Sequence, residues 1–288
     1  WALVRYTSDM DLLALFPGVP VWVLSLVAFA FGAIIGSFLN VVIYRLHTGC
    51  SLSGSSHCLS CGRSLRWYEL FPLLSYICLR GRCRACGCRV PVRYVVVEGV
   101  TGVLFAATLS LSTQLPELLG WWAVWSVLVV LVVYDYSHFI IPDELTASLL
   151  ALVLLLRGWE WWQYGTPLAT LGWGIGAALA GAAFFAGLWY VSGGRWLGFG
   201  DVKLAFPLGL LVSPQLVFSF VVYAFWIGAV VSLALLAGQA YQRGKAGLQY
   251  SAPALTMKSA VPFAPFLVAS ATLLTFYPLN VLTLFSFA

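Results

Sequence analysis

The sequence predicts an all-α polytopic membrane protein of about eight transmembrane helices, with a cysteine-rich cytoplasmic loop domain between the first two. Three observations predict it. Of 288 residues, 61% are hydrophobic and 9% charged, and the mean hydropathy is +0.94, against about 45–50% apolar and about 25% charged in soluble domains. Apolar runs recur near the ~20 residues that a helix needs to cross ~30 Å of hydrocarbon. Of the fifteen Lys and Arg residues, eight fall between Arg45 and Arg93, and such clustering marks a short loop retained in the cytoplasm. The net charge of +5 is therefore a local topology signal, and a nucleic-acid partner is not expected.

The elements follow in order. Residues 1–20, with Asp9 and Asp11, lack the basic flank and cleavage site of a signal peptide and form an extracytoplasmic segment. Val21–Tyr44 is the first span, with Arg45 inside. Residues 45–94 are the basic loop domain, and residues 95–288 hold the remaining spans. Val95–Leu111 runs outward, and Trp121–Tyr134 returns to deliver Asp135 to the cytoplasmic side. Leu145–Leu156 goes out, Trp159–Tyr164 forms an aromatic belt at the outer interface, and Leu168–Val191 comes back to deliver Gly198–Asp201. Leu204–Val212 is too short to cross alone, and Ser213 and Pro214 break it. Leu216–Ala240 leads to Arg243, Lys245 and Lys258 inside, and Val261–Tyr277 ends outside. Gly32 with Gly36, and Gly172 with Gly176, have the small-xxx-small spacing that lets helices pack closely. Gly174, Gly176 and Gly181 are no dinucleotide fingerprint, because no strand precedes them.

This alternation places Asp135 and Asp201 on one face of the membrane. One span more or fewer between them would put them in opposite compartments. Acidic groups near the hydrocarbon are costly, by about 2.5–3.5 kcal/mol at a helix centre, so a carboxylate kept at a span's end points to function. Asp201 lies in Gly198-Phe199-Gly200-Asp201-Val202-Lys203, where Gly198 and Gly200 permit close backbone approach. Two carboxylates in a partly dry site cannot both ionise easily, so one keeps its proton while the other acts as base. That chemistry activates a water against a peptide carbonyl. The alternative is that Asp135 and Asp201 cap helices or pair with Lys203. Asp143, in Ile140-Ile141-Pro142-Asp143-Glu144, is a rival for the first catalytic place, but its position suits the cap of the next helix, with Pro142 fixing the turn.

Cys58-Leu59-Ser60-Cys61 and Cys83-Arg84-Ala85-Cys86 are two Cys-x-x-Cys knuckles at a spacing close to that of zinc ribbons. In a reducing compartment four such thiolates favour metal over disulfide, and a small loop without a core gains folding free energy from the ion. Cys88 could replace Cys86, and a redox pair or unligated thiols is the alternative. Cys50 and Cys78 are spare. His47, His57 and His138 have no metal-pair spacing, though His57 adjoins Cys58.

Together these residues resemble the type IV prepilin peptidase family, also called leader peptidase and N-methyltransferase. Gly36–Arg45 is similar to the family's first-span signature. The knuckles with Pro72, Ser75-Tyr76, Arg80-Gly81 and Tyr94–Glu98 resemble its cytoplasmic domain. Tyr134-Asp135 with Ile141-Pro142-Asp143, then Gly198–Lys203, resemble its two catalytic motifs, and Val261–Phe266 its last-span motif. The resemblance implies cleavage, on the cytoplasmic side of the bacterial inner membrane, of the leader of type IV prepilins and type II secretion pseudopilins, and then methylation of the new N-terminus from S-adenosylmethionine. It implies Asp135 and Asp201 as catalytic aspartates, with Gly198, Gly200, Lys203 and Asp143 supporting them. Cys58, Cys61, Cys83 and Cys86 become ligands of a structural zinc.

The methyl-transfer residues are open, because no soluble methyltransferase fold is visible. Glu69 and Glu98 could hold the substrate's amine or the cofactor, or form salt bridges to loop arginines. Departures from the pattern are Leu70-Phe71-Pro72 where many relatives have Asn-Ile-Pro, Ala264 where glycine is common, and Trp1 in place of an initiator. Three rivals make different predictions. A presenilin-like intramembrane peptidase would lack the zinc loop. A proton-coupled transporter would need midplane acids and inverted repeats. A zinc-dependent scaffold would not need either aspartate. Beyond prepilins and lipid no partner is implied, and the oligomeric state is open.

Overall fold

Uninterrupted runs of Leu, Val, Ala and Phe make helices here, and proline and glycine punctuate them. The computed structural model of the protein describes residues 16–49, 51, 54–246 and 261–285. Asp9, Asp11, Cys50 and Lys258, and the side chains of His47, Arg243 and Lys245, lie outside what is described. Among the described residues there are ten α-helices, two 3-10 turns and no strand beyond isolated bridges. Pro20, Pro142 and Pro167 precede three of the long helices, which end at Gly49, Gly165 and Gly193 with φ of 67°, 58° and 58°. A proline cannot donate the first intrahelical bond and a left-handed glycine ends the last turn, so these boundaries are written in the residues.

Five helices are long and apolar enough to cross a membrane: Val21–Leu46, Leu115–His138, Asp143–Tyr164, Leu168–Ser192 and Pro214–Tyr241. The other three members of the expected eight are shorter helices, Arg93–Thr108, Phe199–Leu211 and Ala264–Phe276, of 16, 13 and 13 residues. The protein is thus an all-helical, multi-pass membrane protein with, among the described residues, five clear spans, one shorter apolar helix, Ala264–Phe276, and two other short helices of 16 and 13 residues.

The chain divides into two compact units, residues 1–134 with 148–164, and residues 135–147 with 165–288. In the first, α1 (Val21–Thr48) packs along α3 (Arg93–Thr108). The contact is close because two glycines of α1 face it. A Cβ on Gly36 would lie 2.8 Å from Glu98 Cα, and one on Gly32 would lie 2.8 Å from Phe105 Cβ. Asn40 Nδ2 crosses the same seam to the Tyr94 carbonyl at 3.1 Å. The loop between them carries a 3-10 turn, Trp67–Glu69, and the short α2, Leu74–Cys78. From α4 (Leu115–His138), Trp122 stacks on Phe105 with centroids 4.8 Å apart, and Trp125 Nε1 donates to Thr108 Oγ1 at 3.0 Å. The Trp-rich segment, Trp159–Tyr164, is the last part of α5 (Asp143–Tyr164), which runs past the Leu156 end expected for that span.

In the second unit, α6 (Leu168–Ser192) packs on α7 (Phe199–Leu211), where Gly209 faces Ala178. α8 (Val217–Ala246) packs on α9 (Ala264–Phe276), and Ser270 Oγ donates to the Phe220 carbonyl at 2.7 Å. A short α10, Val281–Phe285, ends the described chain. Among the described residues the packing expected at Gly172 and Gly176 is not made: a Cβ on either would meet nothing within 4 Å. Spacing fixes which residues share a helix face, but not whether another helix lies against that face, so the two glycine pairs read alike and fold differently.

Candidate functional site

Asp135 and Asp201 belong to the same unit. Asp135 sits in the last turn of α4 and Asp201 in the first turn of α7, and both are buried, at 5% and 7% exposure. They are near enough for the charge of Asp135 to act on Asp201. A backbone N–H also faces each carboxylate, that of Gly198 toward Asp201 and that of Ala264 toward Asp135. The second oxygen of Asp135, Oδ2, is buried without a hydrogen-bond partner among the described residues. A buried polar atom left unpaired costs about 1–3 kcal/mol, and it marks a place for a water or a shared proton.

The local sequence explains the geometry. Gly198 is the N-cap of α7, so Asp201 is its third helical residue, and an acid there reaches back to the N-cap amide. Asp201 thus lies in the first turn of its helix, with its carboxyl near the N-cap amide and within reach of the charge of Asp135. Gly200 lets the turn pack closely on Ile141, since a Cβ there would lie 3.0 Å from Ile141 Cβ. The other end of the pair is fixed by Phe139, which leaves α4 at φ 55° and donates its N–H to the Asp135 carbonyl at 2.8 Å. Ala264 was identified in the sequence only as part of a last-span motif. Its amide faces Asp135 because it opens α9, where the first N–H groups lack partners within the helix. The adjoining Pro265 was the available signal for that helix start.

Two expectations change. The N-cap of α5 is Pro142, not Asp143, and Asp143 instead accepts an ion pair from Lys203 Nζ at 2.7 Å. Lys203 thus pairs with Asp143 and not with either buried aspartate, and it also lies 5.1 Å from the centroid of the Phe199 ring. At 72% side-chain exposure, Asp143 is solvated and is no member of the buried pair.

The first unit carries two further features. Cys58, Cys61, Cys83 and Cys86 bring their sulfurs within 4.8 Å of one another. The knuckles are built alike. The Cys58 N–H bonds the Arg63 carbonyl and the Gly62 N–H the Cys58 carbonyl, as Cys83 does with Cys88 and Gly87 with Cys83, all at 2.9 Å. In each turn amides point at the first sulfur. Those of Cys61 and Ser60 bring the Cys58 thiol down to about 6, and those of Cys86 and Ala85 lower Cys83. Thiolate-forming turns facing each other are a donor set that can hold a metal ion. Cys58 Sγ lies 3.9 Å from Cys86 Sγ and 3.6 Å from Cys88 Sγ, close to the ~3.8 Å edge implied by ~2.3 Å zinc–sulfur bonds in a tetrahedron. By the internal repeat Cys88 occupies the place of Arg63, one residue past the knuckle glycine, and is a fifth thiol beside the set.

The second feature is a cavity of about 230 Å³ between the knuckles, the C-terminal end of α1 and the N-terminal half of α3. Glu69 and Glu98 both line it, but they differ. Glu69 accepts both from the Arg66 N–H at 2.8 Å and from Arg63, at 2.7 Å to Oε2, and these, the amide first, hold its carboxyl below the ordinary value. It is the loop salt bridge anticipated as its alternative. Glu98 takes bonds from the Leu73 N–H at 2.8 Å and from Ser37. Arg45 also differs from a plain topology marker: its guanidinium holds the loop, donating to the Ser51 carbonyl at 2.7 Å.

A helical membrane protein with a buried aspartate pair beside a Gly-x-Gly-Asp turn, and a four-thiol loop after its first span, has the form of a membrane aspartic peptidase. Comparison with known proteins places it further. Residues 30–111 match the bacterial peptidase A24 N-terminal domain, and residues 122–233 match the type IV leader peptidase family. The chain belongs to that family. Curated relatives carry the name prepilin leader peptidase/N-methyltransferase. The chain is similar to one from Myxococcus xanthus, at 36% identity over 72% of this chain and 62% of the relative. It is similar to one from Burkholderia pseudomallei strain K96243, at 31% over 92% and 89%, and to one from Pectobacterium carotovorum, at 35% over 70% and 80%. No solved structure matches the chain.

Proposed function

We propose that this protein cleaves the leader peptide of type IV prepilins and type II secretion pseudopilins, and then N-methylates the residue exposed, at the cytoplasmic face of the bacterial inner membrane. The observation that carries the reading is the meeting of Asp135 and Asp201 as a buried, interacting pair in one unit. The family membership and the names of the relatives support it. In the cleavage step one aspartate of the pair takes a proton from a water as it attacks the scissile carbonyl. The other gives its proton to the carbonyl oxygen, and a proton is then passed to the departing amine. The unpaired Oδ2 of Asp135 suits the water. The amides of Gly198 and Ala264 orient the two carboxylates and hold charge in a site poor in solvent. Gly198 and Gly200 allow the turn, and the exposed Lys203–Asp143 pair ties α7 to the start of α5.

In residues 45–94, Cys58, Cys61, Cys83 and Cys86 would hold a zinc ion whose part is structural. S-adenosylmethionine, when bound, supplies a methyl group to the new amine. A prepilin brings a short basic leader and an apolar helix, so the helix can lie among the spans while the bond to be cut stays near the surface. The four-thiol loop disfavours the presenilin-like reading, and aspartates at helix ends disfavour the transporter. Incubation of the purified protein with a prepilin and labelled S-adenosylmethionine, followed by mass spectrometry, tests the proposal. The expected product lacks its leader and carries one added methyl group, and an intact prepilin would refute it.

A further inference from the structure

We propose that the cavity between the knuckles and the first two apolar helices is the pocket for the sulfonium methyl donor, with Glu98 as its counter-charge and Tyr44 as a wall. This rests on the methyl-transfer reading above and adds where the donor binds. It also extends the binding site beyond the loop domain into α1.

Three observations carry it. First, Glu98 is a carboxylate at 9% exposure whose hydrogen bonds come from neutral donors, the Leu73 N–H and Ser37. Among the described residues it has no ion-pair partner. A buried anion without a cation is unfavourable until a cation arrives, and the other acid of the cavity, Glu69, is already neutralised by Arg63. Second, Tyr44, Tyr76 and Tyr94 line the same cavity. The faces of aromatic rings attract cations, and a sulfonium is a cation that offers no hydrogen bond, so rings and a carboxylate suit it better than neutral donors would. Third, Arg82 and Arg89 also line the cavity and suit the carboxylate of a donor that carries an amino-acid end. The volume, about 230 Å³, is below the ~300 Å³ of the smallest sites that enclose a whole small ligand, so the cavity would hold the sulfonium and amino-acid end of the donor and leave the rest at its open mouth.

The walls have separate origins. Tyr44 comes from the end of α1 and Glu98 from the first half of α3, which the Gly36 contact and the Asn40 bond hold together, while the remaining wall is the knuckle loop. The loop's metal would then act on this pocket by shaping a wall and not by touching the donor.

The test is titration of the zinc-loaded, full-length protein in detergent with S-adenosylmethionine, followed by calorimetry. Glu98→Gln and Tyr44→Ala should each raise the dissociation constant at least tenfold, and Tyr44→Phe by less than threefold, with zinc content and melting temperature unchanged. Because Glu98→Gln also alters the bond to Leu73 and could disturb the loop, Tyr44→Ala serves as an independent arm. Binding of wild-type strength in both Glu98→Gln and Tyr44→Ala would overturn the pocket while leaving methyl transfer standing. If the wild-type protein cleaves a prepilin yet binds no donor, the methyl-transfer reading fails and the pocket with it. A third arm titrates a peptide bearing the mature N-terminus: loss of peptide binding alone, with donor binding intact, would assign Glu98 to the acceptor amine and overturn the proposal.

Discussion

Asp143 and Asp135 looked like competitors in the sequence, eight residues apart and both beside apolar runs. Burial separates them: Asp135 is enclosed at 5% exposure, whereas Asp143 reaches solvent and Lys203. An exposed ion pair contributes about 0–1 kcal/mol, so Asp143→Asn should leave the melting temperature nearly unchanged and leader cleavage within a few-fold of wild type. A gel-based cleavage assay checks this, and complete loss of cleavage would return Asp143 to the catalytic place. The Gly-x-Gly-Asp motif was legible because its requirements are local: a tight turn, and an acid able to reach the N-cap amide. The Ala264 amide and the Lys203 partner were not. Both depend on which distant segment arrives at the site, and no local spacing encodes that. Glu69 and Glu98 illustrate the same limit, since of two acids in or beside one basic loop only Glu69 is paired with an arginine, Arg63.

At the scale of the helix, apolar length found five of the spans, three of them with ends within two residues, whereas the segments read as Trp121–Tyr134 and Leu145–Leu156 extend to Leu115–His138 and Asp143–Tyr164. Three segments are shorter than the ~20 residues of a full crossing. In α7 the capping turn at Gly198 and the extended Val212 ahead of the Ser213-Pro214 turn leave thirteen residues between them. Glycine spacing was a weaker guide. Gly32 and Gly36 let α1 approach α3 to within backbone contact, and among the described residues Gly172 and Gly176 touch nothing within 4 Å. The two pairs therefore predict opposite outcomes. Gly36→Leu should destabilise the first unit by about 1–3 kcal/mol or more through overpacking and weaken folding, while Gly176→Leu should be tolerated. Thermal melting in detergent of the two variants checks this, and equal losses would contradict the packing described for α1 and α3.

For the molecule as a whole, the two compact units divide the chemistry. The buried aspartates lie in one, and the thiols and the Glu98 cavity in the other. Removing the metal should therefore affect the activities unequally. A chelator, or Cys58→Ser, should strip the ion and abolish methyl incorporation, while leader cleavage persists; parallel loss of both would show that the metal site supports the aspartates too. The division was partly visible in the sequence, where the cysteine-rich loop and the two aspartate motifs occupy separate stretches. The return of the segment around residues 135–147 to the second unit was not visible, because it is a tertiary grouping of chain ends that lie far apart in order. The most direct test of the central claim is the rate of prepilin cleavage by Asp201→Asn protein, inserted and zinc-loaded to the level of wild type. A shared-proton pair predicts a fall of at least ~100-fold, with S-adenosylmethionine binding retained, and cleavage at a rate near that of wild type would contradict it.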